Sequence, residues 1–128
     1  MRSLKEISAA LNAIREALDL DVIGCDIESV NGKLLKLTQL TGLSAETKAS
    51  AKKLLGGKEL EVLREISPSL SPSIQVRMLN AECSDYNAIL EYSDRLNAAL
   101  THSMEALRTV ISLYKTELQN GLITAKQN

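Results

Sequence analysis

The sequence predicts an all-α protein, an elongated antiparallel bundle with coiled-coil-like packing, and three observations lead there. Apolar residues make up 45% of the chain with no Phe or Trp among them, so a core must be built from Leu, Ile, Val, Ala and Met, side chains suited to helical ridges and grooves. Along most of the chain these residues recur three and four apart, the period of one helix face. The only two prolines, Pro68 and Pro72, stand in one serine-rich stretch, which leaves long segments free of the residue that most strongly breaks a helix. A length of 128 residues fits a single domain.

Ser3-Leu4-Lys5-Glu6 has the form of a capping box, in which serine and glutamate satisfy each other's orphan backbone donors. A helix is therefore predicted from Leu4. Leu4, Ile7, Leu11, Ile14 and Leu18 line one narrow face and leave Lys5, Asn12, Arg15 and Glu16 outside. Gly24 interrupts the pattern as a break or as a bend, and Asp26 is placed to cap a second segment carrying Ile27, Val30, Leu34, Leu37 and Leu40. Residues 1–41 together form an N-terminal helical arm. Thr41-Gly42-Leu43-Ser44 reads as a boundary, because Gly42 suits a left-handed helix stop and Ser44 a new cap. Short helices are expected over residues 44–66, the first ended by Gly56-Gly57 and the second carrying Leu60, Leu63 and Ile66. Residues 67–72, with two prolines and three serines besides Leu70, form a linker.

One long helix is predicted over residues 73–118, launched by Pro72 in the first turn after a Ser71 cap. Its seam can be counted: Leu79, Tyr86, Ser93, Leu100, Leu107 and Tyr114 recur every seven residues, with Cys83, Leu90, Asn97, Met104, Ile111 and Leu118 four residues after each. Ile89, Leu96 and Val110 widen the stripe. At 1.5 Å per residue such a helix is roughly 65–70 Å long, more than the short middle helices can cover. The arm is its natural partner, and any stripe left over is a candidate binding surface. Residues 119–128 are predicted to fray.

Composition narrows the function classes. A formal net charge of -1 provides no overall attraction to phosphate backbones or anionic lipid, which disfavours nucleic acid. No stretch approaches the roughly 18 apolar residues that span a bilayer. Charges at Arg2, Lys5 and Glu6 precede any run that could serve as a signal-peptide core, so a cytoplasmic location is expected. Cys25 and Cys83 lie far apart and in no CxxC or Cys/His cluster. Buried thiols in a reducing compartment are the simpler reading beside a disulfide joining two helices.

No enzyme, metal site or cofactor is expected. His102 is the only histidine and has no evident carboxylate to orient it, no Glu-x-x-His pair suggests a di-iron bundle, and Gly56-Gly57-Lys58 lacks phosphate-loop spacing. Ser93, Asn97 and Ser103 dilute the long seam. They set register inside the bundle, as buried Asn does in coiled coils, or keep a partner groove soluble; the residues alone leave both open. Tyr86, Tyr92 and Tyr114 serve core edges and interfaces equally.

The order of these pieces resembles the flagellar export chaperone family FlgN. The matching stretches are Gly24-Cys25-Asp26-Ile27-Glu28-Ser29-Val30, Lys33-Leu34-Leu35, Leu40-Thr41-Gly42-Leu43-Ser44, and Asp94-Arg95-Leu96-Asn97-Ala98-Ala99-Leu100-Thr101-His102-Ser103-Met104. The resemblance spans nearly the whole chain. It implies a cytosolic chaperone that holds C-terminal helical segments of the hook–filament junction proteins FlgK and FlgL until the type III export apparatus takes them, by helix-in-groove packing. It places the client on the long helix, at Tyr86, Leu90, Leu96, Leu100, Met104, Leu107, Ile111 and Tyr114. The chief rival is a structural or adaptor bundle, or an obligate coiled-coil homodimer that buries the stripe in its own interface.

Overall fold

The fold was examined in a computed structural model, which describes residues 3–22 and 26–127, with side chains through Gly121. Among the described residues there are four helices: α1 (Leu4–Leu18), α2 (Ile27–Glu65), α3 (Pro72–Glu82) and α4 (Ser84–Gln127). The protein is all-α. α2 runs antiparallel to α3 and α4 in one long hairpin, and α1 lies along that hairpin, packed on both α2 and α4.

Local chemistry sets most of the ends. Ser3 caps α1, its Oγ accepting from the Glu6 N–H at 3.2 Å, and Asp26 caps α2, its Oδ1 accepting from the Glu28 N–H at 3.1 Å. Between α1 and α2 the Lys33 Nζ donates to the Leu18 carbonyl at 2.7 Å, which satisfies an orphan acceptor at the helix end and places a cation there. At the hairpin tip Ser71 caps α3 with Pro72 beside it in the first turn. Gln75 Nε2 ties the turn down by donating to the Leu70 carbonyl at 2.8 Å.

Three expectations are corrected. First, α2 is one helix of 39 residues, about 58 Å long at 1.5 Å per residue, where stops were expected at Gly42 and at Gly56-Gly57. Each glycine costs a helix only about 1 kcal/mol. Against that stands an unbroken inward stripe of Val30, Leu37, Ser44, Thr47, Ala51, Leu55 and Val62. None of these glycines has left-handed backbone, and a Cβ built on any of them would meet nothing within 4 Å. Ser44 caps nothing; it is buried mid-helix.

Second, the long C-terminal helix is divided at Cys83, which sits at φ -98° and ψ 6° as the end of α3. The Cys83 N–H still reaches the Leu79 carbonyl at 3.0 Å, and the Asn87 N–H reaches Cys83 at 2.9 Å. The division is thus a one-residue irregularity, located where Cys83 joins the core and α3 continues at its edge, with no buried residue and Leu79 packed half-buried against the tip cluster. Third, α4 stays helical through Gln127 instead of ending near residue 118. The main partner of the long helix is α2 as one piece, residues 27–65, with α1 beside it, in place of an arm of residues 1–41 alone. Gly24 and Cys25 lie outside the described residues, so the alternatives at that junction fall there too.

The core is a string of three clusters along the hairpin. Leu55, Val62, Ile66 and Cys83 close the tip. Ile7, Leu11 and Ile14 of α1 join Ala51 and Leu96 in the middle. Ala17, Val30, Leu37, Leu100, Met104 and Leu107 form the third, with Ile27 and Ile111 packed at its edge. Each fully buried Ile or Leu contributes roughly 1.5–3 kcal/mol, and the larger number of them lies where all three helices meet.

Candidate partner-binding surface

Two side-chain contacts fix the register of α2 against α4. Ser44 Oγ hydrogen-bonds Asn97 Oδ1 at 2.9 Å, and the Lys48 ammonium pairs with Asp94 at 2.9 Å. Carried along both helices, this register brings Ile27, the first residue of α2, level with about Tyr114. Residues 115–127 of α4 extend past the first residue of α2 by roughly 20 Å. The consequence is visible along a single face of α4. Leu96, Leu100, Met104 and Leu107 are buried, Ile111 is half-buried at the cluster edge, and Tyr114 and Leu118, one and two turns further on the same face, are 40% and 54% exposed.

The residues singled out on the long helix therefore separate into two groups. Leu96, Leu100, Met104 and Leu107 are core residues of this chain, closed to any partner while α1 and α2 are in place. Tyr86 and Leu90 pack, half-buried, against the tip cluster. Of the set, Tyr114 alone is exposed, while Ile111, like Tyr86 and Leu90, is half-buried. Val110 and Leu118 are exposed on the same side of α4 as Tyr114 and complete an apolar patch with it. The heptad pattern could not have located that patch, because the register of α2 decides where cover stops.

Two of the three polar interruptions, Asn97 and Ser93, belong to the interior of the hairpin, whereas Ser103 is half-buried. Asn97 is held by Ser44, and the buried Thr47 hydroxyl donates to the Leu43 carbonyl at 2.6 Å. Ser93 is 1% exposed and its Oγ has no hydrogen-bond partner, a cost of about 1–3 kcal/mol for a buried polar group. Ser44, Thr47 and Ser93 thus form a layer of small hydroxyl residues inside the hairpin, at the level where α1 contributes its largest side chains.

Arg108 and Lys115 lie on one flank of the patch and Glu117 on the other, by their helical phase.

The chemistry elsewhere is sparse. His102 faces Glu105 at 3.8 Å on the open surface, the side chains 78% and 65% exposed, so a carboxylate does stand beside it, but with no enclosed site around the pair. Among the described residues no group of three or more His, Cys, Asp or Glu could hold a metal ion. Burial pushes the free Cys83 thiol up from its ordinary value, with the negative charge of Glu59 acting in the same direction. At neutral pH this thiol is protonated and a poor nucleophile.

No known protein family, curated protein or solved structure matches the chain. No described helix is long and apolar enough to cross a membrane.

Proposed function

We propose that this chain is a helix-capturing protein of the flagellar export chaperone class, and that capture begins on the projecting part of α4. One observation carries the reading: the apolar face that forms the core between Leu96 and Leu107 continues past the end of α2, uncovered, through Tyr114 and Leu118. A partner helix laid antiparallel on this stretch would continue the packing that α2 begins. The flanking Arg108 and Lys115 favour a partner with acidic residues beside its apolar stripe. The resemblance to the FlgN family supplies the client, the C-terminal helical segments of hook–filament junction proteins of the FlgK and FlgL kind, and with it a cytoplasmic location and a hand-over to the export apparatus.

The test is co-purification with a junction protein from the source cell, with wild type and with Tyr114→Asp/Leu118→Asp. Both positions are exposed, so the double variant should melt as wild type does while losing the client. Retention of the client by a folded double variant would refute the location. Failure of wild type to retain a junction protein, in a strain that expresses one, would refute the client. Sedimentation addresses the homodimer rival: a permanent dimer that the double variant dissociates would show the patch occupied by a second copy.

A further inference from the structure

We infer that the exposed face of α4 selects its partner by the charge of one end: the amphipathic helix that lies there carries Lys or Arg in the turn that meets the bundle. This deepens the proposed function and rests on it for the docking face, whereas the selecting charges belong to this chain alone.

Those charges lie in and beside the connection from α1 to α2. Between Glu16 and Gly32 the chain has five acidic residues, Glu16, Asp19, Asp21, Asp26 and Glu28, and no Lys, Arg or His, although the formal net charge of the whole sequence is only -1. Packing puts this run at the root of the projecting stretch. Val22 and Ile27 are held against the same cluster as Ile111, the last half-buried residue before Tyr114. Their neighbours Asp19, Asp21, Asp26 and Glu28 are all exposed and stand at the end of the bundle where cover of α4 stops. Local cations leave them unbalanced. The Lys33 ammonium donates to the Leu18 carbonyl at 2.7 Å, and no ion pair joins any of the four carboxylates to a described cation, Lys115 and Arg108 on the flank of α4 included. The Asp26 Oδ1 accepts from the Glu28 N–H at 3.1 Å, which leaves its charge in place.

Orientation turns this charge into a requirement on the partner. A helix that continues the line of α2, antiparallel to α4, points its carboxyl end at the connection, and that end has a partial negative charge of its own. Facing four carboxylates, it is repelled unless its last turn carries cations. Lys or Arg there meets the carboxylates of this chain and the dipole of its own helix together. An apolar helix that ends in acidic residues is rejected by the same groups, so the connection discriminates among helices that the apolar patch alone would accept equally.

The test uses fluorescein-labelled synthetic peptides, capped at both ends and sharing one leucine stripe. One carries two lysines in its last turn, one two glutamates there, and one has the lysines moved to its first turn. Each is titrated by anisotropy against full-length wild type, Tyr114→Asp/Leu118→Asp, and Asp19→Asn/Asp21→Asn/Glu28→Gln. The triple variant keeps Asp26, the cap of α2, and changes only exposed positions, so it should melt close to wild type. Wild type should bind the peptide with lysines in its last turn about tenfold more tightly than the one with glutamates there. The preference should shrink to less than about twofold in the triple variant and in high salt.

Equal binding of those two peptides by wild type overturns the inference, as does a preference that the triple variant retains. Tightest binding of the peptide with lysines in its first turn would reverse the partner and overturn it too. Sedimentation supplies a further outcome: a wild-type dimer that the triple variant dissociates would make a second copy of this chain the occupant and exclude a foreign helix. A preference for terminal lysines that persists in Tyr114→Asp/Leu118→Asp would remove the docking face, and the inference with it. Binding that those two substitutions abolish, but that ignores the charge of the peptide's end, would remove the inference and leave the docking face standing.

Discussion

Leu100 and Leu118 are the same residue type on the same face of the same helix, five turns apart at 3.6 residues per turn, yet Leu100 is 1% exposed and Leu118 54%. Truncation of each to alanine therefore isolates tertiary cover from everything local. At Leu100 the removed methyls leave a cavity among Val30, Leu37, Met104 and Leu107, and buried Leu→Ala changes of this kind cost about 2–5 kcal/mol. For a chain of this length about 3 kcal/mol lowers the melting temperature by roughly 10 °C. At Leu118 little burial is lost and alanine has the higher helix propensity, so the net change should stay within about 0.5 kcal/mol. Urea and thermal unfolding of wild type and both variants at two protein concentrations would decide. Equal losses at the two sites would refute the register that ends α2 near Tyr114. A loss above about 1.5 kcal/mol at Leu118 that grows with protein concentration would show the patch buried against another copy.

Three further outcomes are expected. Gly56→Ala and Gly57→Ala should each stabilise the protein by about 0.5–1 kcal/mol, because both positions are helical with open space around the new Cβ; destabilisation in a urea melt would mean a turn at that point. Ser93→Ala should be neutral or raise stability by about 1 kcal/mol, since it deletes a buried hydroxyl that bonds to nothing, whereas a loss above about 1 kcal/mol would reveal a partner for Ser93 Oγ. The raised Cys83 thiol gives a pH dependence with a definite sign. The folded chain holds this proton more tightly than the unfolded chain, so the contribution is whole below the ordinary thiol value of 9.0 and is lost as pH rises through the higher folded value. Urea midpoints from pH 7.5 to 10 should therefore fall less steeply for Cys83→Ala than for wild type, and parallel declines would assign the alkaline loss to other groups.

Much of the helix content was legible because it is written locally. Ser3, Asp26 and Ser71 cap helices where their side chains predict. On α1 and early α2 the predicted inward residues Ile7, Leu11, Ile14, Val30 and Leu37 are buried and Lys5, Asn12, Arg15 and Glu16 exposed, while Leu4, Leu18, Ile27, Leu34 and Leu40 are half-buried and the buried Ala10 and Ala17 were not singled out. These features depend on neighbours within one turn, and the hydrophobic period records them directly. The middle of the chain misled for an equally physical reason. Glycine weakens a helix by an amount smaller than one buried aliphatic side chain contributes, so Gly42, Gly56 and Gly57 could not decide where α2 ends. Val62 and Ile66, packed against Cys83 across the hairpin, did.

The candidate surface divides along the same line. The seam that runs through α3 and α4 is complete in the sequence, from Leu79 through Leu118, and its period determines which residues share a face. Whether a given seam residue is core or surface depends on what lies opposite. That follows from Ser44 meeting Asn97 and Lys48 meeting Asp94, contacts between positions some fifty residues apart. Periodicity is a property of one helix, whereas burial is a property of two. The sequence by itself determined a helical protein with a long amphipathic seam, and only the tertiary pairing decided that the seam is closed at Leu100 and open at Leu118.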